Sequence, residues 1–127
     1  EYRRRLGLLE DACQRAGRAY DQIEKSLELQ VLLSTEPGAR YTLTRILSRS
    51  ETPPHPELLA YAEGHVDQPP IELKETTLIG TPDDVARQLR SYVAAGVDHV
   101  LLWFLDAPER SGMELFMNEV APRFRTP

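Results

Sequence analysis

Leu78-Ile79-Gly80-Thr81-Pro82-Asp83-Asp84-Val85, followed by Ala94-Ala95-Gly96-Val97-Asp98-His99-Val100-Leu101-Leu102, decides the architecture of this chain. Thr81 stands where a helix N-cap belongs, its hydroxyl placed to accept the N–H of Asp84. The Asp84 carboxylate is placed to reach back, completing a capping box. Pro82 falls at the first helical position, where a missing N–H costs nothing. Asp83 and Asp84 set negative charge against the positive end of the helix dipole. Val85, Leu89, Tyr92 and Val93 recur at spacings of three and four and predict one apolar stripe. Gly96 ends the helix in a left-handed conformation, and Val97 to Phe104 reads as a strand. A capped helix joined by so short a turn to an apolar strand is half of a parallel β/α repeat.

Outward from that unit, the opening residues show helical periodicity, with Tyr2, Leu6, Leu9, Cys13 and Ala16 on one face and Gly17 as the stop. Residues 17–23 form a short link. Ile23 to Ser34 then alternates, with Leu27, Leu29, Val31 and Leu33 on one side and Ser26, Glu28, Gln30 and Leu32 on the other, which predicts a strand. A helix is expected within Thr35–Ser50, carrying Tyr41, Leu43, Ile46 and Leu47 on its apolar side, its start limited by Pro37 and Gly38. The prolines of Thr52-Pro53-Pro54-His55-Pro56 make a loop, a short helix follows from Pro56 to Glu63, and Gln68-Pro69-Pro70 breaks it. Ile71 to Ile79 is read as extended. A last helix is expected from a Ser111 cap through Met113, Leu115, Phe116, Val120 and Phe124, bent or shortened by Pro122. The resulting order of helix, strand, helices, strand and helix predicts an α/β unit with two parallel strands and covering helices.

Composition narrows the partners. The 127 residues amount to one domain, a single unit over 1–127, and 20 acidic against 15 basic side chains leave a net charge of −5. No basic stripe with interleaved aromatics is present, so neither nucleic acid nor an anionic membrane is expected as a partner. The one basic run, Arg3-Arg4-Arg5, sits beside Glu1, Glu10 and Asp11 and reads as a solvated helix face. Cys13 is the single cysteine, which suits a reducing, cytoplasmic setting. No apolar run approaches the roughly 20 residues that span a bilayer. The chain opens on Glu1 with neither an initiator methionine nor a signal-peptide pattern, and the expectation is a piece of a longer protein.

The residues Ile79-Gly80-Thr81-Pro82-Asp83-Asp84-Val85-Ala86, Tyr92, Ala95-Gly96-Val97-Asp98-His99, Leu102-Trp103-Phe104 and Val120-Ala121-Pro122-Arg123 resemble the C-terminal end of the bacterial-luciferase-like monooxygenases. Arg4-Arg5-Leu6, Cys13, Gly17-Arg18 and Ile23 to Leu33 are similar to the helix and strand before that end. The resemblance implies a (β/α)₈ TIM barrel using FMN or a deazaflavin (coenzyme F-420), with oxidoreductase chemistry on a small organic substrate. Such a barrel needs roughly 250 residues, so this chain would be its C-terminal part, holding the last two strands. Most flavin contacts would then lie elsewhere, and the isolated chain is expected to be inactive.

On that reading Glu28 and Gln30 point into the barrel interior, where a carboxylate must be paired, protonated or wetted. Either a structural ion pair or acid–base work at the flavin suits such a group. Trp103 sits near the carboxyl end of its strand, where barrel sites form, either against the flavin ring or packed on the last helix. The family commonly carries arginine at that position. Asp106 follows in a βα loop, as a pocket residue or as a turn residue with Pro108. Glu28, Gln30, Trp103 and Asp106 are therefore the pocket-lining candidates, and no catalytic residue can be named. His99 begins its strand and reads as structural, while His55 and His65 lack companions at metal-ligand spacing, so no metal is expected. Gly80-Thr81 reads as a cap rather than a phosphate loop, because Asp83 and Asp84 repel an anion.

Two other readings stand beside this one. A non-catalytic α/β module would cover its unpaired strand edges by binding a partner or by self-association, and a homo-oligomer is expected of a lone piece on either view. A flavodoxin-like domain lacks the loops that would mark its switch point.

Overall fold

A computed structural model describes residues 1–35 and 38–125. Three parallel strands, β1 (Ser26–Leu33), β2 (Thr77–Gly80) and β3 (His99–Phe104), form one sheet in the order β2-β1-β3. Helices α1 (Tyr2–Ala16), α2 (Gly38–Leu47), α3 (Pro56–Ala62), α4 (Ile71–Thr76) and α5 (Pro82–Ala94) precede β3. Helix α6 (Ser111–Leu115) follows it and continues through a π-helical turn, Phe116–Val120, into a 3₁₀ turn, Ala121–Phe124. Among the described residues, no helix is long and apolar enough to cross a membrane.

The α/β class is as the sequence predicts, but the expectation of two strands is corrected to three. Strand β2 takes up the last part of the stretch read as extended, Thr77–Ile79, but does not announce itself as a strand because it is only four residues long and Leu78 and Ile79 are both buried, on opposite faces of the sheet. A short run that is apolar on both sides carries no alternation to read. The residues just before it, Ile71–Thr76, are helical rather than extended.

β1 is the middle strand, and its alternating side chains serve two faces. Leu29, Val31 and Leu33 enter a core with Leu78, Val85, Ala86, Leu89, Phe116 and Val120, so α5 and the C-terminal helical segment cover this face. On the other face Leu32 joins Ile79, Leu43, Tyr61 and Ala62, which brings α2 and α3 over the carboxyl end of the sheet. Toward the amino end of that second face, Ser26, Glu28 and Gln30 are exposed.

Local chemistry explains the helix boundaries. Gly17 takes φ 64° and closes α1, its following N–H on Arg18 donating to the Cys13 carbonyl at 2.9 Å. The capping box on α5 is complete. Asp84 N donates to Thr81 Oγ1 at 3.3 Å, and Thr81 N and Oγ1 donate to Asp84 Oδ2 at 3.1 and 2.7 Å. Gly96 has φ 93° at the far end. Three expectations are corrected in detail. Tyr41 and Val93, read as core-facing, are 73% and 49% exposed. Both helices are amphipathic by pattern, yet these two side chains lie at the solvent-facing margin of the apolar stripe. Ser111 does not cap the last helix; Asp106 does, accepting from Gly112 N at 2.7 Å and from Ser111 Oγ at 3.1 Å. Pro122 accounts for the shortened helix, since it lacks the N–H that regular α-helical bonding needs there.

Candidate functional site

β1 and β3 pair in parallel with Ser26 opposite His99, Glu28 opposite Leu101 and Gln30 opposite Trp103. This register gathers three of the predicted site residues, Glu28, Gln30 and Trp103, on one bare patch of sheet. Val100, Leu102 and Phe104 pack inward beneath α5 and the C-terminal segment, which leaves Leu101 and Trp103 facing away, 44% and 63% exposed. Trp103 therefore does not pack on the last helix. Gln30 is oriented from its neighbour strand, because Thr77, buried at 1% exposure, donates its hydroxyl to Gln30 Oε1 at 3.3 Å.

Asp106 stands apart from these three. It is 8% exposed, and its Oδ2 is committed to the start of α6. The structure places it as a cap on a helix whose first turn contains Gly112. A β-carbon there would lie 2.8 Å from Asp106 Oδ2, so the contact needs glycine. His99 lies exposed at the amino end of β3, its Nδ1 3.2 Å from Glu24 Oε1. Arg4 and Arg5 both contact the Glu1 carboxylate at 2.9 Å on an exposed helix face, as read from the sequence. Among the described residues no cluster of three His, Cys, Asp or Glu side chains is disposed to hold a metal.

Beyond the carboxyl ends of β1 and β2 lies a cleft of about 680 Å³ that the sequence did not disclose. Such a position, outside the carboxyl edge of a parallel sheet, is where α/β folds bind ligands. Three cations line it. Arg40 from α2 stacks on Tyr61, with 4.8 Å from the guanidinium carbon to the ring centroid, and donates to the Asp67 carbonyl at 3.0 Å. Arg87 from α5 bonds Asp84 Oδ1 at 2.8 Å. Lys74 from α4 donates to the neutral Gln68 Oε1 at 3.1 Å and, among the described residues, has no carboxylate within ion-pair distance. Among the described residues Lys74 is thus the cation most available to an anion. None of Glu28, Gln30, Trp103 or Asp106 lines this cleft. The three cations come from three different helices with irregular sequence spacing, so no motif announces them; the only signal is that two lie within the stretch linking β1 to β2.

At the opposite end of the sheet, Lys25 N and Nζ bond Asp98 Oδ2 at 3.1 and 2.8 Å and tie the starts of β1 and β3 together. The Lys25 ammonium, with its backbone N–H, holds the Asp98 carboxyl below its ordinary pKa. The Thr81 hydroxyl, aided by the Thr81 N–H and by Arg87, does the same for Asp84. A carboxylate whose folded pKa lies below the unfolded value of about 3.9 stabilises the fold above that pH. That contribution disappears as pH falls through the folded value. Stability is therefore expected to decline on acidification below about pH 4. Urea midpoints measured across that range should fall less steeply in the Asp84→Asn/Asp98→Asn double variant.

Comparison with known proteins adds an independent finding. The F420-dependent glucose-6-phosphate dehydrogenase of Rhodococcus erythropolis (strain PR4 / NBRC 100887) is 29% identical over 126 residues, covering 94% of this chain and 37% of that enzyme. That of Nocardia farcinica (strain IFM 10152) is 28% identical over 122 residues, 87% of this chain and 35% of the enzyme. F420-dependent glucose-6-phosphate dehydrogenase 2 of Rhodococcus jostii (strain RHA1) is 30% identical over 117 residues, again 87% and 35%. The chain thus spans a little over a third of the length of these relatives. No protein-family model matches it.

Proposed function

Because the chain is a distant homologue of F420-dependent oxidoreductases that are members of the luciferase-like family, we propose that it is the C-terminal portion of a deazaflavin-dependent oxidoreductase folded as a (β/α)₈ barrel. The observation that carries this reading is the bare sheet face. In such a barrel the helices lie outside, the opposite face turns inward, and consecutive strands sit side by side. β1 and β3 are parallel neighbours covered by α5 and the C-terminal segment on one face. Glu28, Gln30, Leu101 and Trp103 look the other way. On this view β1 and β3 are barrel staves, and short β2 belongs to the connection between them. Cut off from the remaining staves, the piece has open strand edges, and self-association is the state expected of it alone.

A planar ring needs an apolar wall and a fixed polar partner. Trp103 and Leu101 supply the first, and Gln30, held by Thr77, supplies the second. A bound deazaflavin would provide the chemistry of hydride acceptance. Glu28 on the same face would take a cationic partner from the rest of the barrel, since a carboxylate enclosed alone is costly. Among the described residues the cleft's two carboxylates, Asp67 and Asp84, are each paired with an arginine, Arg40 and Arg87, and Lys74 beside them suits a substrate bearing an anionic group such as a phosphate. Glucose 6-phosphate, the substrate in the relatives' names, is the first compound to try.

The test uses the longer protein that contains this chain, mixed with oxidised coenzyme F420 and glucose 6-phosphate and followed by loss of the deazaflavin colour. Turnover is expected, and Lys74→Ala should raise KM by about tenfold or more with kcat little changed, as expected for losing a charged contact to the anion. A folded protein that binds no F420 would defeat the reading and favour the non-catalytic module.

A further inference from the structure

Residues 38–76, comprising α2, α3 and α4, form the outer wall of the cleft, while the ends of β1 and β2 with α5 form the inner wall. The outer segment carries Arg40 and Lys74; the inner wall carries Arg87. What joins the walls is chiefly an apolar cluster, Leu43, Tyr61 and Ala62 against Leu32 and Ile79. The hydrophobic driving force behind that burial is non-directional, so a directional polar contact adds orientation to what burial supplies in strength.

Apart from the sequence neighbours Thr76 and Thr77, a single polar side-chain contact crosses the same boundary among the described residues. Arg45 on α2 makes a two-pronged pair with Glu109 in the loop after β3, Nη1 to Oε1 and Nη2 to Oε2, the latter at 2.9 Å. A fork-to-fork arrangement fixes orientation as well as distance. The receiving side is rigid, because Glu109 N donates to the Asp106 carbonyl at 3.0 Å and Asp106 is itself bolted to α6 through Gly112 N. The same corner buries Arg45 Nε and Asp106 Oδ1, neither of which bonds another protein atom among the described residues.

We propose that the Arg45–Glu109 pair is the clasp that sets the closure of the cleft, making both residues positioning groups for the cations carried on the outer wall. The proposal rests on the cleft being a ligand site, but it makes a prediction that holds in the empty protein.

Hydrogen exchange followed by mass spectrometry on the full chain tests it. A pair of this exposure shifts a local opening equilibrium by about fivefold. In Glu109→Gln, amides of α2 and α3 should exchange about fivefold faster, with β1 and α5 unchanged. Charge exchange in Arg45→Glu/Glu109→Arg should return the rates toward wild type. Unchanged exchange in α2 and α3 overturns the clasp, as does an equal rise in α5, which would mean general loosening. Failure of the exchanged pair to restore protection overturns it too. Adding inorganic phosphate to the same samples tests the anion site separately: protection of the segment by phosphate supports that site, and its absence counts against the site while leaving the clasp result standing.

Discussion

Gly80→Ala should lower the free energy of unfolding by roughly 2–4 kcal/mol, the combined scale of backbone strain and overpacking, read as a fall in the urea midpoint. Gly80 has φ 128°, a conformation that side chains rarely adopt. A β-carbon there would also lie 2.7 Å from Asp84 Cβ and 2.8 Å from Asp84 Oδ2. Asp84 cannot step aside without surrendering its bonds from Thr81 and its pair with Arg87. One methyl group therefore attacks three things at once: the turn out of β2, the capping box of α5 and one wall of the cleft. A loss below about 0.5 kcal/mol, the range of an ordinary surface change, would show that this turn has more freedom than its geometry indicates.

Leu32→Ala should cost about 2–5 kcal/mol, the range for emptying a buried leucine site. Leu32 is 1% exposed and is the β1 side chain that packs beneath α2 and α3. Its removal leaves Leu43, Tyr61 and Ala62 without their central partner, so the segment over the carboxyl end of the sheet should lose protection first. Amide exchange would show this as early loss in α2 and α3, ahead of α5. If α5 loosened first, the two faces of the sheet would have to be one cooperative core rather than two.

The capped helix and its strand were legible because their signals are local. Thr81, Pro82 and Asp84 act on backbone groups within one turn, and the sequence alone specifies those partners. The alternation in β1 was legible for the same reason, and it correctly put Glu28 and Gln30 on the face away from α5. What stayed hidden depends on contacts between distant segments. Thr77–Gly80 becomes a strand only because β1 offers it an edge. Asp106 reads as a pocket residue or as a turn residue with Pro108; it does lie in a turn with Pro108, but the helix that claims its carboxylate begins several residues later. Arg40, Lys74 and Arg87 look like scattered surface cations until α2, α4 and α5 are folded around the same strand ends.

One modest side chain has an architectural result. Gln88 on α5 turns its amide back on β2, accepting from Ile79 N at 3.2 Å and donating to the Ile79 carbonyl at 2.7 Å. It thereby imitates the hydrogen-bonding pattern of a fourth strand and plugs that margin at Ile79. No such stopper borders β3 among the described residues. The flank beside Trp103 is thus open along the whole of β3, while on the other side the open stretch is the Ser26–Leu29 half of β1, which β2 does not pair.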